Sequence, residues 1–276
     1  PYRTAADALV AQLRNSKFDT KLFPVGELTE ERRKDVLQEI REYSPTVIAA
    51  AGATMTADIQ AAFAKVPKAY FMVPNALDAP FARGRAALPG VAADVAPDTQ
   101  IKWIKRTAPQ RRNIAVLHGP RTVQTAAALR DAGSKLGIRV TLIEARADKF
   151  ADAVEQLNAG GHDGVLMIPD SDVYDATNVQ ALLLWGLRGN RCVWTFSENV
   201  VKAGAFAGTS IDAGAVGEAT AAVVQALAKG KGDKSVGVRY ATEVRHAVNV
   251  HTAELIGEKL AEVEGDNTIL RLGESK

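Results

Sequence analysis

Short, mostly apolar runs recur along this chain, separated by longer stretches whose apolar positions repeat every three to four residues. The first pattern suits strands buried on both faces, the second helices laid against them. The runs are Thr46–Ala51, Ala69–Val73, Asn113–Leu117, Val140–Glu144, 164–168 and Cys192–Thr195. Between them the helical period predicts helices at 29–43, with Val36, Leu37 and Ile40 inward, and at 121–136, closed by Gly137. Further helices are predicted at 4–14, after Gly52, and at 98–107, 148–158, 176–187 and 198–203. Residues 212–229 read as a long alanine-rich helix stopped by Gly230-Lys231-Gly232. Strands near 236–241 and 246–250, a helix at 252–263 and a last strand at 268–271 complete the pattern, and Thr20–Pro24 reads as a further short strand. Strands alternating with helices of this length predict an α/β protein with parallel sheets and right-handed crossovers.

The alternation runs in two halves. Residues 78–98 break it with Pro80, Gly84, Pro89, Gly90 and Pro97, and the strand–helix plan restarts beyond them. At 276 residues the chain exceeds what one core needs. The expected division is one lobe of residues 1–93 plus 211–243 and a second of 94–210 plus 244–276. The first half opens on a helix, although a parallel half opens on a strand. A gap or a substitute at the first strand position is therefore expected, with native residues ahead of Pro1.

Composition narrows the function. The formal net charge is +2, with no clustered basic face, so no nucleic-acid partner is expected. Cys192 is the only cysteine, which excludes an intrachain disulfide; its Cys-Val-Trp context predicts a buried, inert thiol. No segment reaches the ~20 apolar residues of a membrane span. The four histidines lack metal-ligand spacing, and Asp170, Asp172 and Asp175 lack the glycine and closing glutamate of a calcium loop. No nucleophile elbow, phosphate loop or dinucleotide fingerprint is present, so neither an enzyme nor a cofactor is expected.

What remains is a set of polar groups just beyond apolar strands, where open α/β sheets bind small ligands. Gly52-Ala53-Thr54 offers a turn, a hydroxyl and free helix N-terminal amides, which attract a carboxylate or phosphate. Asn75 follows the strand ending at Val73. Asp170, Ser171 and Val173 follow Val165–Ile168, with Asp170 suited to an ammonium or a hydroxyl. Ser197 and Glu198 follow Cys192–Thr195, Asp212 precedes the long helix, and Tyr2 is placed to stack on a ligand or cover its helix. Trp185 and Trp194 read as core.

Several of these stretches share an order and spacing with one family. Gly90-Val91, Gln100-Ile101-Lys102, Pro109 and Arg112-Asn113-Ile114-Ala115-Val116-Leu117 resemble the central segment of ABC-transporter substrate-binding proteins of the tryptophan/tyrosine-binding type. Pro169-Asp170-Ser171-Asp172-Val173 is similar to that family's Pro-Thr-Asp-Asn-Val loop. Val200–Ala205, Gly217, Ala228-Lys229-Gly230, and Asn249 with Ala253 and Gly257 extend the match. Upstream, Ala51-Gly52-Ala53 resembles the family's Gly-Thr-x-Ala turn. Two loops depart from the pattern: Thr209–Ala213, and Asn75-Ala76, which stands where the family carries Asp-Pro.

The resemblance implies a type I periplasmic binding-protein fold, two Rossmann-like lobes joined by a three-crossover hinge that closes on a ligand. It implies an extracytoplasmic, periplasmic or lipid-anchored, monomeric protein that delivers a small polar ligand to an ABC permease. An amino acid is the first expected class and a nucleoside or other polar heterocycle the second. The alternative is the same fold as the sensor domain of a receptor or the core of a repressor. In the transport reading, Thr54 meets the ligand from the first lobe and Asp170 from the second.

Overall fold

The computed structural model describes residues 1–26, 29–84, 86–230, 238–263 and 265–273. Two compact units emerge, residues 1–94 with 211–243 and residues 95–210 with 244–276, so the chain passes between them three times.

The first unit is built on a parallel sheet in the order β1 (Ile48–Ala51), β2 (Lys68–Val73), β3 (Gly90–Ala92) and β9 (Val238–Arg239). Its helices are α1 (Tyr2–Asn15), α2 (Glu30–Tyr43), α3 (Ala53–Ala62) and α9 (Ala213–Ala228). β2 is buried along its whole length, as a central strand requires. α9 packs on β2 and β3, and α1 packs on α9. The α1–α9 contact is backbone-close: a Cβ at Gly217 would lie 2.1 Å from the Ala5 carbonyl oxygen.

Three expectations are corrected in this unit. Among the described residues β1 pairs only with β2, and Thr20–Pro24 joins no ladder. Its side chains hold it instead, with Phe23 edge-on to Tyr43 at 5.7 Å and Phe23 and Val25 packed on the Val36–Ile40 cluster. β1 is an edge strand of alternating burial rather than one covered on both faces. Within the segment read as irregular, Gly90–Ala92 forms β3; Gly90 is required because a Cβ would sit 2.4 Å from the Tyr70 ring crossing it. Lys231, Gly232 and the start of the strand expected at 236–241 lie outside the described residues.

The second unit carries a seven-stranded sheet in the order β11 (Ile269–Leu272), β10 (Val244–Asn249), β8 (Ala207–Ile211), β7 (Cys192–Thr195), β6 (Gly164–Leu166), β4 (Asn113–His118) and β5 (Arg139–Glu144). Alternation along β4 divides the core. Ile114 and Val116 join the cluster under α4 (Pro97–Thr107) and α5 (Val123–Leu136). Ala115 and Leu117 join the opposite cluster, under α6 (Phe150–Ala159) and α7 (Ala176–Arg188). Trp194 is enclosed at 1% exposure, and its indole N–H donates to Thr107 Oγ1 at 2.9 Å. Trp185 and Cys192 are buried too, and burial pushes the Cys192 thiol pKa up, which suits an unreactive core residue. α8 (Glu198–Lys202) is short. α10 (Val250–Leu255) ends well before the expected 263, because Gly257 adopts the left-handed backbone (φ +75°) that closes helices.

Candidate functional site

In the first unit the sheet's C-terminal edge gathers several of the expected residues. β1 ends in Gly52, whose φ of +78° turns the chain into α3. The Gly52 N–H donates to Phe71 O at 2.9 Å, and Thr56 Oγ1 donates to Gly52 O at 2.6 Å, so the turn is pinned from both sides. No side chain caps α3, and Ala53 and Thr54 are exposed in its first turn. The helix therefore presents backbone N–H groups and the positive end of its dipole to whatever lies before it. Tyr2, half exposed on α1, lies over this turn. A Cβ at Gly52 would be 3.5 Å from its ring and 3.6 Å from its hydroxyl. Tyr2, Gly52, Ala53 and Thr54 thus form one cluster, with the phenol at van der Waals distance of the turn and the left-handed φ of Gly52 favouring glycine there.

Next along the edge, Asn75 sits in left-handed backbone (φ +49°) after β2. Its N–H and that of Ala76 donate to the two carboxylate oxygens of Asp94, at 3.0 and 3.2 Å. Asp94 follows β3, so this carboxylate fixes the loop after the neighbouring strand. Burial raises its pKa to about 6 and the nearby Asp78 charge adds to the rise, against the lowering effect of the two amides. Protonation of Asp94 consequently favours the native state. That contribution is complete below the ordinary carboxyl value of 3.8 and is lost as pH rises through about 6. Sequence reasoning missed Asp94, because β3 is three residues long and lies in the stretch richest in proline and glycine. Asp212, expected to face a ligand, caps α9, accepting from the Ala215 N–H at 3.0 Å.

In the second unit, Asp170 follows β6 and is buried. Its Oδ2 accepts from the Gly119 N–H at 2.8 Å and from Thr122 Oγ1 at 2.5 Å, and its Oδ1 accepts from the Asp172 N–H at 2.9 Å. Three of about four acceptor sites on a carboxylate are therefore taken by the protein itself. Gly119 admits this approach, since a Cβ there would press on Asp170 and Asp172 at 3.1 and 3.2 Å. Asp172 pairs with Arg121, and Asp175 caps α7 through the Asn178 N–H. The three aspartates read as conceivable cation ligands thus have separate structural tasks. Val173, expected at the ligand, is fully buried in the apolar cluster beneath α6 and α7. Ser171 is exposed. Ser197 and Glu198 start α8; Glu198 pairs with Lys202 and borders a cavity of about 130 Å³ with Ser210, Arg245, His246 and Thr268.

The two units thus repeat one device. A carboxylate after a strand (Asp94, Asp170) binds backbone N–H groups of the loop after an adjacent strand. This tethers polar loops at the sheet's C-terminal edge, the location where α/β folds bind small molecules. Among the described residues no three His, Cys, Asp or Glu side chains group as a metal site, and no helix is long and apolar enough to cross a membrane.

Comparison with solved structures supports the fold. A substrate-binding protein with adhesive properties from Clostridium difficile, in its ligand-free open form, is similar with a TM-score of 0.74 at 16% identity, over 99% of this chain and 95% of that one. An ABC domain from Streptococcus pneumonia in complex with L-Trp gives 0.65 at 13%, over 98% and 96%. The transcription regulator CcpA of Lactococcus lactis gives 0.53 at 10%, over 89% and 92%. At these identities the likeness shows the fold alone, the α/β type I periplasmic binding-protein architecture, which transporters and regulators share. No curated protein matches the sequence. The model of the family described as ABC transporter substrate binding protein matches residues 25–263. With that span covering most of the sequence, this chain belongs to the ABC transporter substrate-binding protein family.

Proposed function

We propose that the protein captures a small polar ligand outside the cytoplasm and delivers it to an ABC importer, with an amino acid or a related compound as the first class. The reading is physical rather than chemical: the ligand is bound and released unchanged. The observation that carries it is the uncapped N-terminus of α3, where exposed Thr54 and the Tyr2 phenol adjoin free amides. This cluster fits a carboxylate, with N–H donors, a hydroxyl and an aromatic face in one place. Ser171 and Ser197 in the second unit are proposed as further ligand contacts.

The test is to denature the purified protein, identify the released small molecule by mass spectrometry, and titrate it back by calorimetry. Thr54→Ala should weaken binding by about 0.5–1.5 kcal/mol, a few-fold to tenfold, because the backbone amides remain. Conversion of the ligand during the titration would point to catalysis and overturn the reading. Unchanged affinity in Thr54→Ala would remove the Thr54 hydroxyl from the site.

A further inference from the structure

We propose that Asp94, Tyr70 and Tyr240 form the cation subsite of the first unit and receive the ammonium group of the ligand. This rests on the reading that the protein captures a small polar molecule.

Asp94 is a carboxylate brought partly out of water, and among the described residues no positive charge acts directly on it. Its oxygens accept from two neutral amides, and among the described residues the charge acting on it is that of Asp78, which is also negative. A desolvated anion in that condition is costly, and a ligand cation removes the cost. Asp170, the carboxylate favoured by sequence, is engaged differently: a hydroxyl and two amides take three of its about four acceptor sites.

A second, independent observation concerns Tyr70. Its side chain is fully buried, and its hydroxyl has no hydrogen-bond partner. Buried hydroxyls are nearly always satisfied, so this one calls for a partner, which a ligand or a water supplies. The sheet register places it. Tyr70 crosses β3 at Gly90, and Gly90 pairs with Val238, two residues before Tyr240 on β9's exit. Asp94 lies two residues beyond the end of β3. The two phenols and the carboxylate fall within electrostatic reach of one another: Asp94 acts on both tyrosines and Tyr70 acts on Tyr240. Asp94 and Tyr240 are partly exposed, so the cluster is open at the C-terminal edge of the sheet. An alkylammonium has three N–H donors. One carboxylate oxygen and two phenol oxygens match that number, and the two rings add aromatic faces that attract a cation. The other charged groups facing the cluster are Asp78 after β2 and Arg239 on β9.

The experiment uses the purified chain and a panel of L-amino acids, each paired with the 2-hydroxy acid of the same side chain. Binding is read by thermal shift and calorimetry. Amino acids are expected to stabilise the protein and their hydroxy acids to bind at least tenfold more weakly. Asp94→Asn should weaken amino-acid binding tenfold to a hundredfold, and Tyr70→Phe roughly threefold to tenfold. Affinity in the unaltered protein should fall as pH drops below about 6, where the carboxyl takes up its proton, and this dependence should vanish in Asp94→Asn. Because Asp94 also tethers Asn75 and Ala76, Tyr70→Phe serves as the variant that leaves the loop intact. Equal binding of both members of each pair, or full affinity in folded Tyr70→Phe and Asp94→Asn, overturns the subsite while capture itself stands. If no panel member binds and nothing co-purifies, the capture reading fails and the subsite with it.

Discussion

Asp170→Ala is expected to lower the unfolding free energy by about 3–5 kcal/mol, seen as a reduced urea midpoint with an unchanged slope. The substitution orphans the Gly119 N–H, the Thr122 hydroxyl and the Asp172 N–H together, in a site at 8% exposure. Each buried donor left without a partner costs about 1–3 kcal/mol, and water entering the space recovers part of it. Asp170→Asn should cost less, since the amide oxygen can still accept from Gly119. Coupling between Asp170 and Thr122 in a double-mutant cycle checks the assignment. Near-wild-type stability in Asp170→Ala would mean that the carboxylate is not the tie between the loops after β4 and β6.

Gly217→Ala should cost about 2–3 kcal/mol and also weaken ligand binding. The added methyl would overlap the Ala5 carbonyl and crowd the Leu9 N–H at 2.9 Å, both of which are backbone atoms. Backbone cannot rotate away as a side chain can, so α1 must shift as a body, which places the cost at the upper end of overpacking. α1 carries Tyr2 over Gly52, hence the same shift draws the phenol from the α3 terminus. Thermal unfolding gives the first effect and calorimetry with the co-purified ligand the second. Loss of stability with intact affinity would separate Tyr2 from the site.

The same two positions show what could be read in advance. Gly217 belonged to the sequence pattern that resembled a family, yet its reason, the touching backbones of two helices far apart in the chain, is a tertiary fact. Asp170 stood out as a polar residue after a buried strand, and its location at a strand end is what the sequence predicts. Its occupation by Gly119 and Thr122 was invisible, because those donors arrive from a loop 48 and 51 residues away. Val173 illustrates the limit of loop reasoning: an apolar residue in a polar turn points into the core because α6 and α7 leave a space there.

Sequence alone determined the strand–helix alternation, the two-part layout, the α/β class and the absence of nucleophile or metal motifs. These depend on local periodicity and composition, which one chain displays without any neighbour. Tertiary structure decided that Thr20–Pro24 pairs with nothing and that three residues at Gly90 make a strand. Ladder formation needs a partner of the right register, and the partner's position is not local. It also decided how two similar acids are engaged. Asp94 and Asp170 look alike in sequence, an acid after an apolar run. They differ in how many donors reach each carboxylate, three at Asp170 and two at Asp94, and folding alone sets that number.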